Sequence, residues 1–226
     1  MRGIVVASSP YDVFEQIYKP IPGDLIIGVD GGCKAIKQYP IDIAFGDFDS
    51  LQGPVRAKKV FHYPRQKKET DLELAIDALK NDVDEFIIYN ATGGRLDHFM
   101  ANLRLLERYN NIKITLKDDL NEISLLKDGT YYLQKDDKYK YFSLIPCIDS
   151  IVTIKNALYK LNSGIVKRTD TYTVSNQILE EDVKITIHEG RMFLIKASDK
   201  YNKIRIYFTK KGGFMRFYTI QLPRFI

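Results

Sequence analysis

The sequence predicts an α/β N-terminal domain with a mainly parallel sheet, followed by an all-β sandwich domain. Two observations carry this expectation. Up to about residue 117, short continuous apolar runs alternate with helical patterns, as in a sheet covered on both faces. From residue 121 the pattern changes to short strands with turns between them and no clear helix. The expected division is 1–118 for the α/β domain and 121–226 for the sandwich.

Composition permits both. With 226 residues and 45% hydrophobic content, the chain can bury a sizeable core. No run approaches the ~20 apolar residues that a membrane span needs. Met1-Arg2-Gly3-Ile4 enters a short apolar strand rather than a signal peptide, so a cytoplasmic protein with no membrane partner is expected. Cys33 and Cys147 are far apart and have no metal-type spacing, which leaves buried free thiols. A net charge of +5 is mild, but it is unevenly distributed.

In chain order, residues 2–7 form the first apolar run and Ser8-Ser9-Pro10 breaks it. Residues 11–18 carry a weak helical pattern. The second run, Leu25 to Val29, ends in Asp30-Gly31-Gly32 before a helix expected over Cys33 to Tyr39, and the glycines leave the backbone free for a close approach. Ile41 to Phe45 is the third run and Val60 to Tyr63 the fourth. Thr70, with Glu73 three residues later, predicts a capping box, and Leu72, Ala75, Ile76 and Leu79 fall on one face of the helix that follows. Phe86 to Tyr89 is another buried strand. After it comes a helix with Leu96, Phe99, Met100, Leu103 and Leu106 on its inner face.

Polar residues gather at the ends of these runs. In Ala44-Phe45-Gly46-Asp47-Phe48-Asp49-Ser50, two carboxylates stand two residues apart and project to the same side of an extended chain. Such a pair repels itself unless a divalent cation such as Mg²⁺ sits between the acids, although an Asp-rich turn uses the same residues. Asp71, at the first helical position, suits the helix dipole and is also placed as a third ligand. Thr92-Gly93-Gly94-Arg95 between strand and helix presents backbone amides to phosphate, without Walker or Rossmann glycine spacing. A parallel sheet binds ligands beyond the carboxyl ends of its strands, and the convergence of Asp30, Asp47, Asp49, Thr70, Asp71 and the glycine pair there favours the metal.

The second half reads as strands at 123–126, 131–133, 141–145, 151–154, 183–187 and 192–196, with Asp128-Gly129 and Glu189-Gly190 as hairpin signals. The last stretch, 199–226, holds seven Lys/Arg and one acid among aromatic residues and reads as one more hairpin around Lys210-Lys211-Gly212-Gly213. Solvated basic residues on an extra strand pair account for it, and a nucleic-acid partner is not expected.

Val29-Asp30-Gly31-Gly32, Gly46-Asp47-Phe48-Asp49-Ser50, Thr70-Asp71-Leu72-Glu73 and Thr92-Gly93-Gly94-Arg95-Leu96-Asp97-His98, followed by a β domain with Ser175-Asn176, resemble the thiamine pyrophosphokinase family over roughly residues 1–198. The resemblance implies Mg²⁺-dependent transfer of the pyrophosphoryl group of ATP to the thiamine hydroxyl, with release of AMP, in a homodimer whose active sites lie between subunits. It implies Asp47, Asp49 and Asp71 as metal ligands, with Asp30 joining them as the catalytic acids; which carboxylate, if any, takes the alcohol proton is left open, and Asp71 is favoured because an acid at a helix start can face the acceptor. Thr70, Thr92, Gly93, Gly94, Arg95, Asp97 and His98 are implied nucleotide contacts, and Ser175 and Asn176 thiamine contacts. Lys68 stands where the family usually has Asp, and Gln177 where Glu is common. With no Trp in the chain, a ring against thiamine must come from another aromatic; Tyr159 and Tyr172 are candidates, although each also reads as an ordinary aromatic of the β domain. The alternative is a non-catalytic nucleotide- or thiamine-binding regulator on the same fold, with a polyanion-binding C-terminal hairpin.

Overall fold

The N-terminal apolar run becomes β1 (Arg2–Val6), an inner strand of the parallel part of a nine-stranded sheet. The computed structural model describes residues 1–49, 51, 53–199, 201–208 and 216–223. β2 (Leu25–Val29), β3 (Ile41–Gly46) and β4 (Ala57–His62) extend the sheet to one side of β1, and β5 (Glu85–Tyr89) and β6 (Lys113–Lys117) to the other, all parallel. The winding therefore reverses between β1 and β5, which opens a crevice at the carboxyl ends of those two strands.

Helices cover this half because its strands are apolar on both faces. α1 (Phe14–Ile17) lies on one side, where Phe14 and Tyr18 pack with Ile4, Val6, Ile26 and Ala44. On the other side, α2 (Asp71–Leu79) buries Leu72, Ala75, Ile76 and Leu79 against Val5, Ile27 and Phe45, as its periodicity predicts. Each such Leu or Ile contributes about 2 kcal/mol. α3 (Leu96–Arg108) joins that core through Leu105 and Leu106, with Phe99 and Leu103 partly buried. Leu96 and Met100 depart from the expectation and are exposed, because the first turns of α3 overhang the crevice instead of lying on the sheet.

The helix expected at Cys33 to Tyr39 is a 3-10 turn over Asp30–Ala35. It crosses so close to β1 that a Cβ at Gly32 would collide with the Val6 carbonyl, and a six-residue segment under that constraint closes in the tighter helix. Only half of the capping box forms. Thr70 Oγ1 accepts from Glu73 N–H at 3.2 Å, whereas the Glu73 carboxylate turns to Arg108 Nη1 at 2.6 Å and ties α2 to α3. Both cysteines are buried as expected, and burial pushes each thiol up to about 11.

Beyond β6 come β7 (Asn121–Leu126), β8 (Gly129–Gln134), β9 (Tyr141–Pro146), β10 (Ser150–Lys155), β11 (Leu161–Val166), β12 (Asp182–Glu189) and β13 (Met192–Ala197). β7 pairs antiparallel with β6, so the same sheet runs on through β13 to β9. A second antiparallel sheet, ordered β11-β10-β12-β8, faces that extension. Met192 and Leu194 point into the core between the sheets with Phe142, Leu144, Ile154 and Ile185, while Phe193 and Ile195 point to the helical side.

The two hairpin signals are corrected. β7 and β8 lie in different sheets, as do β12 and β13, so Asp128-Gly129 and Glu189-Gly190 are corners at which the chain changes sheet. The two corners meet, with Gly190 N–H donating to Asp128 Oδ1 at 2.9 Å. The C-terminal hairpin forms from β14 (Tyr201–Phe208) and β15 (Arg216–Pro223), paired antiparallel with Tyr201 opposite Pro223. Its Lys210 to Gly213 turn, like Ser50 of the acidic motif, lies outside the described residues.

Candidate active site

Strand ends and helix starts enclose a cavity of ≈ 540 Å³ at the reversal between β1 and β5. Its walls include Ala7 to Pro10 after β1, Asp30 after β2, Asp47 after β3, Lys67 before α2 and Thr70 and Asp71 at its start, Asn90 to Gly93 after β5 except Thr92, Arg95 just before α3, and His98 and Asn102 on it. The two loops at the reversal are fitted to one another. Ala7 N–H donates to the Tyr89 carbonyl at 3.0 Å, and Ser9 Oγ to the Thr92 carbonyl at 3.3 Å. A Cβ on Gly94, whose φ is 73°, would stand 2.9 Å from Pro10 Cδ, so only glycine allows both the turn and the approach. Asn90 fixes the same junction, donating to Asp12 Oδ1 at 3.0 Å and accepting from Val13 N–H at 3.3 Å.

Carboxylates dominate one end. Asp30, Asp47 and Asp49 each offer an oxygen within 4.8 Å of the others. The backbone is bent to bring them together, with Asp30 at φ 45° and Phe48 at φ 57°, conformations that non-glycine residues seldom adopt. Asp49 N–H donates to Asp47 Oδ1 at 3.1 Å, and Arg65 Nη1 lies 3.6 Å from Asp49 Oδ2. Asp30 Oδ1 is buried without a hydrogen-bond partner among the described residues. Burial raises the Asp30 carboxyl above the ordinary Asp value. The Gly31 N–H opposes this, while the charges of Asp47, Asp71 and Asp49 add to it. Three hard-oxygen ligands, one with an orphaned oxygen, fit a divalent cation of the Mg²⁺ type.

Asp71 lines the same cavity but is engaged differently. Lys67 Nζ lies 2.8 Å from Asp71 Oδ1, off the line of a hydrogen bond, so that oxygen lacks a donor. The Lys67 side chain is only 12% exposed, unusual for a lysine, and its Nζ donates to the Pro64 carbonyl at 3.3 Å. Lys67 was not among the residues expected from the sequence, nor were Asn90 and Asn102. Its signal is the four-residue spacing to Asp71 across the helix start. Lys68, by contrast, is exposed.

The remaining expected residues separate into groups. Thr70, Gly93, Arg95 and His98 line the cavity. Arg95 is held by Asp97 through Nε at 3.0 Å and Nη2 at 2.5 Å, and this bonding from Arg95 holds the Asp97 carboxyl down at about 2. Thr92 turns its hydroxyl to Asp118 Oδ2. Ser175 and Asn176 do not line the cavity. Ser175 is exposed at φ 59°, and its N–H donates to Ser143 Oγ at 2.9 Å. Asn176 is buried and holds the Tyr159 backbone, accepting from its N–H at 2.9 Å and donating to its carbonyl at 2.8 Å.

Residues 22–116 match the thiamin pyrophosphokinase catalytic domain, and residues 130–192 the thiamin pyrophosphokinase vitamin B1 binding domain. The chain is 35% identical over 189 residues to the thiamine pyrophosphokinase of Bacillus subtilis (strain 168), a match spanning 77% of this chain and 88% of that protein. The crystal structure of thiamine pyrophosphokinase from Bacillus subtilis superposes with a TM-score of 0.77 at 30% identity, covering 88% of this chain and 100% of that one. That of thiamin pyrophosphokinase from Geobacillus thermodenitrificans gives 0.75 at 29%, covering 88% and 98%. The regulator alternative finds no support among these relatives. The chain belongs to the thiamin pyrophosphokinase family.

Proposed function

We propose that the protein transfers the pyrophosphoryl group of ATP to the hydroxyl of thiamine, giving thiamine diphosphate and AMP. The observation that carries the reading is the meeting of Asp30, Asp47 and Asp49 within 4.8 Å at the mouth of a cavity that a glycine-rich loop and a helix start also line. In-line attack of an alcohol on phosphorus needs positioning and charge neutralisation more than covalent chemistry from the protein. Asp47, Asp49 and Asp71, supported by Asp30, would hold Mg²⁺. Bound there, the cation would offset the charge of the phosphates.

The chain's own residues do the rest in this reading. Thr70, Gly93, Arg95 and His98 bind the nucleotide from the cavity wall, and Thr92, Gly94 and Asp97 keep those groups in place. Lys67, shielded and 2.8 Å from Asp71, gives a phosphate oxygen a partner. Asp71, beside it, takes the proton of the thiamine hydroxyl. Ser175 contacts thiamine, and Asn176 holds the Tyr159 loop beside it. Neither lines this chain's own cavity, which supports a homodimer in which the sandwich of one subunit serves the α/β half of the other. We place the enzyme in the cytoplasm and divide it at 118–121; among the described residues no helix is long and apolar enough to cross a membrane.

Incubation of the purified protein with ATP, Mg²⁺ and thiamine is expected to yield equal amounts of AMP and thiamine diphosphate. Binding of ATP and thiamine without product would remove the enzyme reading.

A further inference from the structure

The loop that carries Gly93 and Gly94 is held at its start from the turn after β6. Thr92 Oγ1 donates to Asp118 Oδ2, and Asp118 stands between β6 and β7, where the sheet changes from parallel to antiparallel. The carboxylate is fixed in its turn. Oδ1 accepts from Leu120 N–H at 2.7 Å and Asn121 N–H at 2.6 Å, and Asn121 Nδ2 lies 3.2 Å from both oxygens. The turn is in turn tied to the sandwich. Lys138 Nζ donates to the Asp118 carbonyl at 3.3 Å, and Ser198 N–H to the Leu120 carbonyl at 3.0 Å.

Gly93 and Gly94 have φ of 77° and 73°, and two adjacent glycines give a backbone wide freedom. Such a loop presents its amides in a fixed direction only if its flanks are pinned. Ser9 Oγ on the Thr92 carbonyl and Asn102 Nδ2 on the Ala91 carbonyl, at 2.9 Å, supply neutral bonds. The bond to Asp118 ends on a charge and is of the stronger kind. Thr92 is not a wall of the cavity, whereas its neighbours Ala91 and Gly93 are, so its hydroxyl is committed to Asp118 rather than to a ligand.

We infer that Asp118 is a positioning residue for nucleotide binding: through the Thr92 hydroxyl it fixes the Gly93-Gly94 backbone at the cavity wall, and it thereby links nucleotide affinity to the turn that joins the two halves of the sheet. The identity of the nucleotide, ATP, rests on the proposed reaction.

Thr92→Val removes the donor while leaving the Asp118 turn whole, and Asp118→Asn removes the charge. ATP affinity is measured by calorimetry and turnover by AMP release, with circular dichroism as the check on folding. In Thr92→Val, Kd and KM for ATP are expected to rise about tenfold while KM for thiamine stays unchanged, and Thr92→Ser recovers most of the loss. The combined Thr92→Val, Asp118→Asn variant loses no more than the larger single effect, because both act on the same bond. Unchanged ATP affinity in Thr92→Val, an equal rise in KM for thiamine, or losses that multiply in the combined variant would each overturn the inference. If the wild type binds ATP but forms no thiamine diphosphate, the proposed reaction fails and calorimetry still decides the role of Asp118. If it binds no ATP, both fail.

Discussion

Asp24 and Asp30 flank the same strand, β2, and their surroundings have opposite effects. At the amino end, Asp24 accepts from Arg2 Nε at 2.7 Å and Nη2 at 2.6 Å, from the Tyr18 hydroxyl at 2.8 Å and from Ile21 N–H at 3.0 Å. Burial pushes its carboxyl up, but the bonds from Arg2, Ile21 and Tyr18 outweigh that and hold it below the ordinary value. At the carboxyl end, Asp30 keeps one oxygen unpartnered and faces three further acids, and its carboxyl is raised. A buried acid with all its donors stabilises the fold. One left without them, beside other acids, belongs to a site that a ligand completes.

The largest effect expected from this contrast is catalytic. Asp47→Asn and Asp49→Asn should each lower kcat by about 10³-fold, the order seen when one electrostatic stabiliser is lost, with melting temperature preserved. AMP release and a thermal melt on the same preparation test it; near-normal turnover in both variants would remove the carboxylate cluster from the mechanism. Next comes the amino end. Asp24→Asn leaves the Arg2 guanidinium without its bidentate partner and should cost about 3 kcal/mol, roughly 8 °C in Tm for a chain of this size. The pH dependence has a definite sign. Because the folded value of Asp24 is depressed, its stabilisation is present above the unfolded value of ~3.9 and is lost as pH falls through the folded value, so wild type and variant should approach one another in acid. A gap in Tm that persists undiminished at pH 2 would contradict the assignment.

Legibility follows the same division. The parallel half could be read closely because strands buried on both faces are continuous apolar runs: β2 occupies Leu25–Val29 as expected, and α2 buries the four residues its spacing selects. Its acids were visible because they stand at the ends of those runs. Lys67 was less visible, since a lysine before a helix is usually solvated and only the fold shows it shielded beside Asp71. In the sandwich, Asp128-Gly129 and Glu189-Gly190 misled for a physical reason. A hairpin turn and a corner between sheets both call for a residue at positive φ, here Gly129 at 148° and Gly190 at 112°, and local sequence does not say which sheet the next strand joins. β11, Leu-Asn-Ser-Gly-Ile-Val, was missed because it lacks alternation and its partner β10 carries a register shift between Val152 and Ile154. Asn176 was legible as a conspicuous polar residue but not as the clamp on Tyr159, a contact seventeen residues away in sequence.

The smallest effect has the opposite sign and is the most discriminating. Asp30→Asn makes the same chemical change as Asp24→Asn at the other end of β2, yet in chelator at neutral pH it should raise Tm by a few degrees while abolishing turnover. Asparagine keeps the shape, tolerates the φ of 45° and carries no charge to be buried among Asp47, Asp49 and Asp71. With a folded value above the unfolded one, the stability that Asp30 contributes is present below ~3.9 and declines as pH rises through the raised folded value. The gain in the variant should therefore open with increasing pH and vanish in acid, the mirror image of Asp24→Asn. Mg²⁺ should close part of the gap by stabilising the wild type more than the variant, because a ligand that binds only the folded state adds more stability the more tightly it binds. Melts at pH 3 and pH 7, with chelator and with Mg²⁺, separate the outcomes: a variant that is less stable at neutral pH, or a gain that is the same at both values, would mean that Asp30 is held by the fold as Asp24 is and does not await a cation.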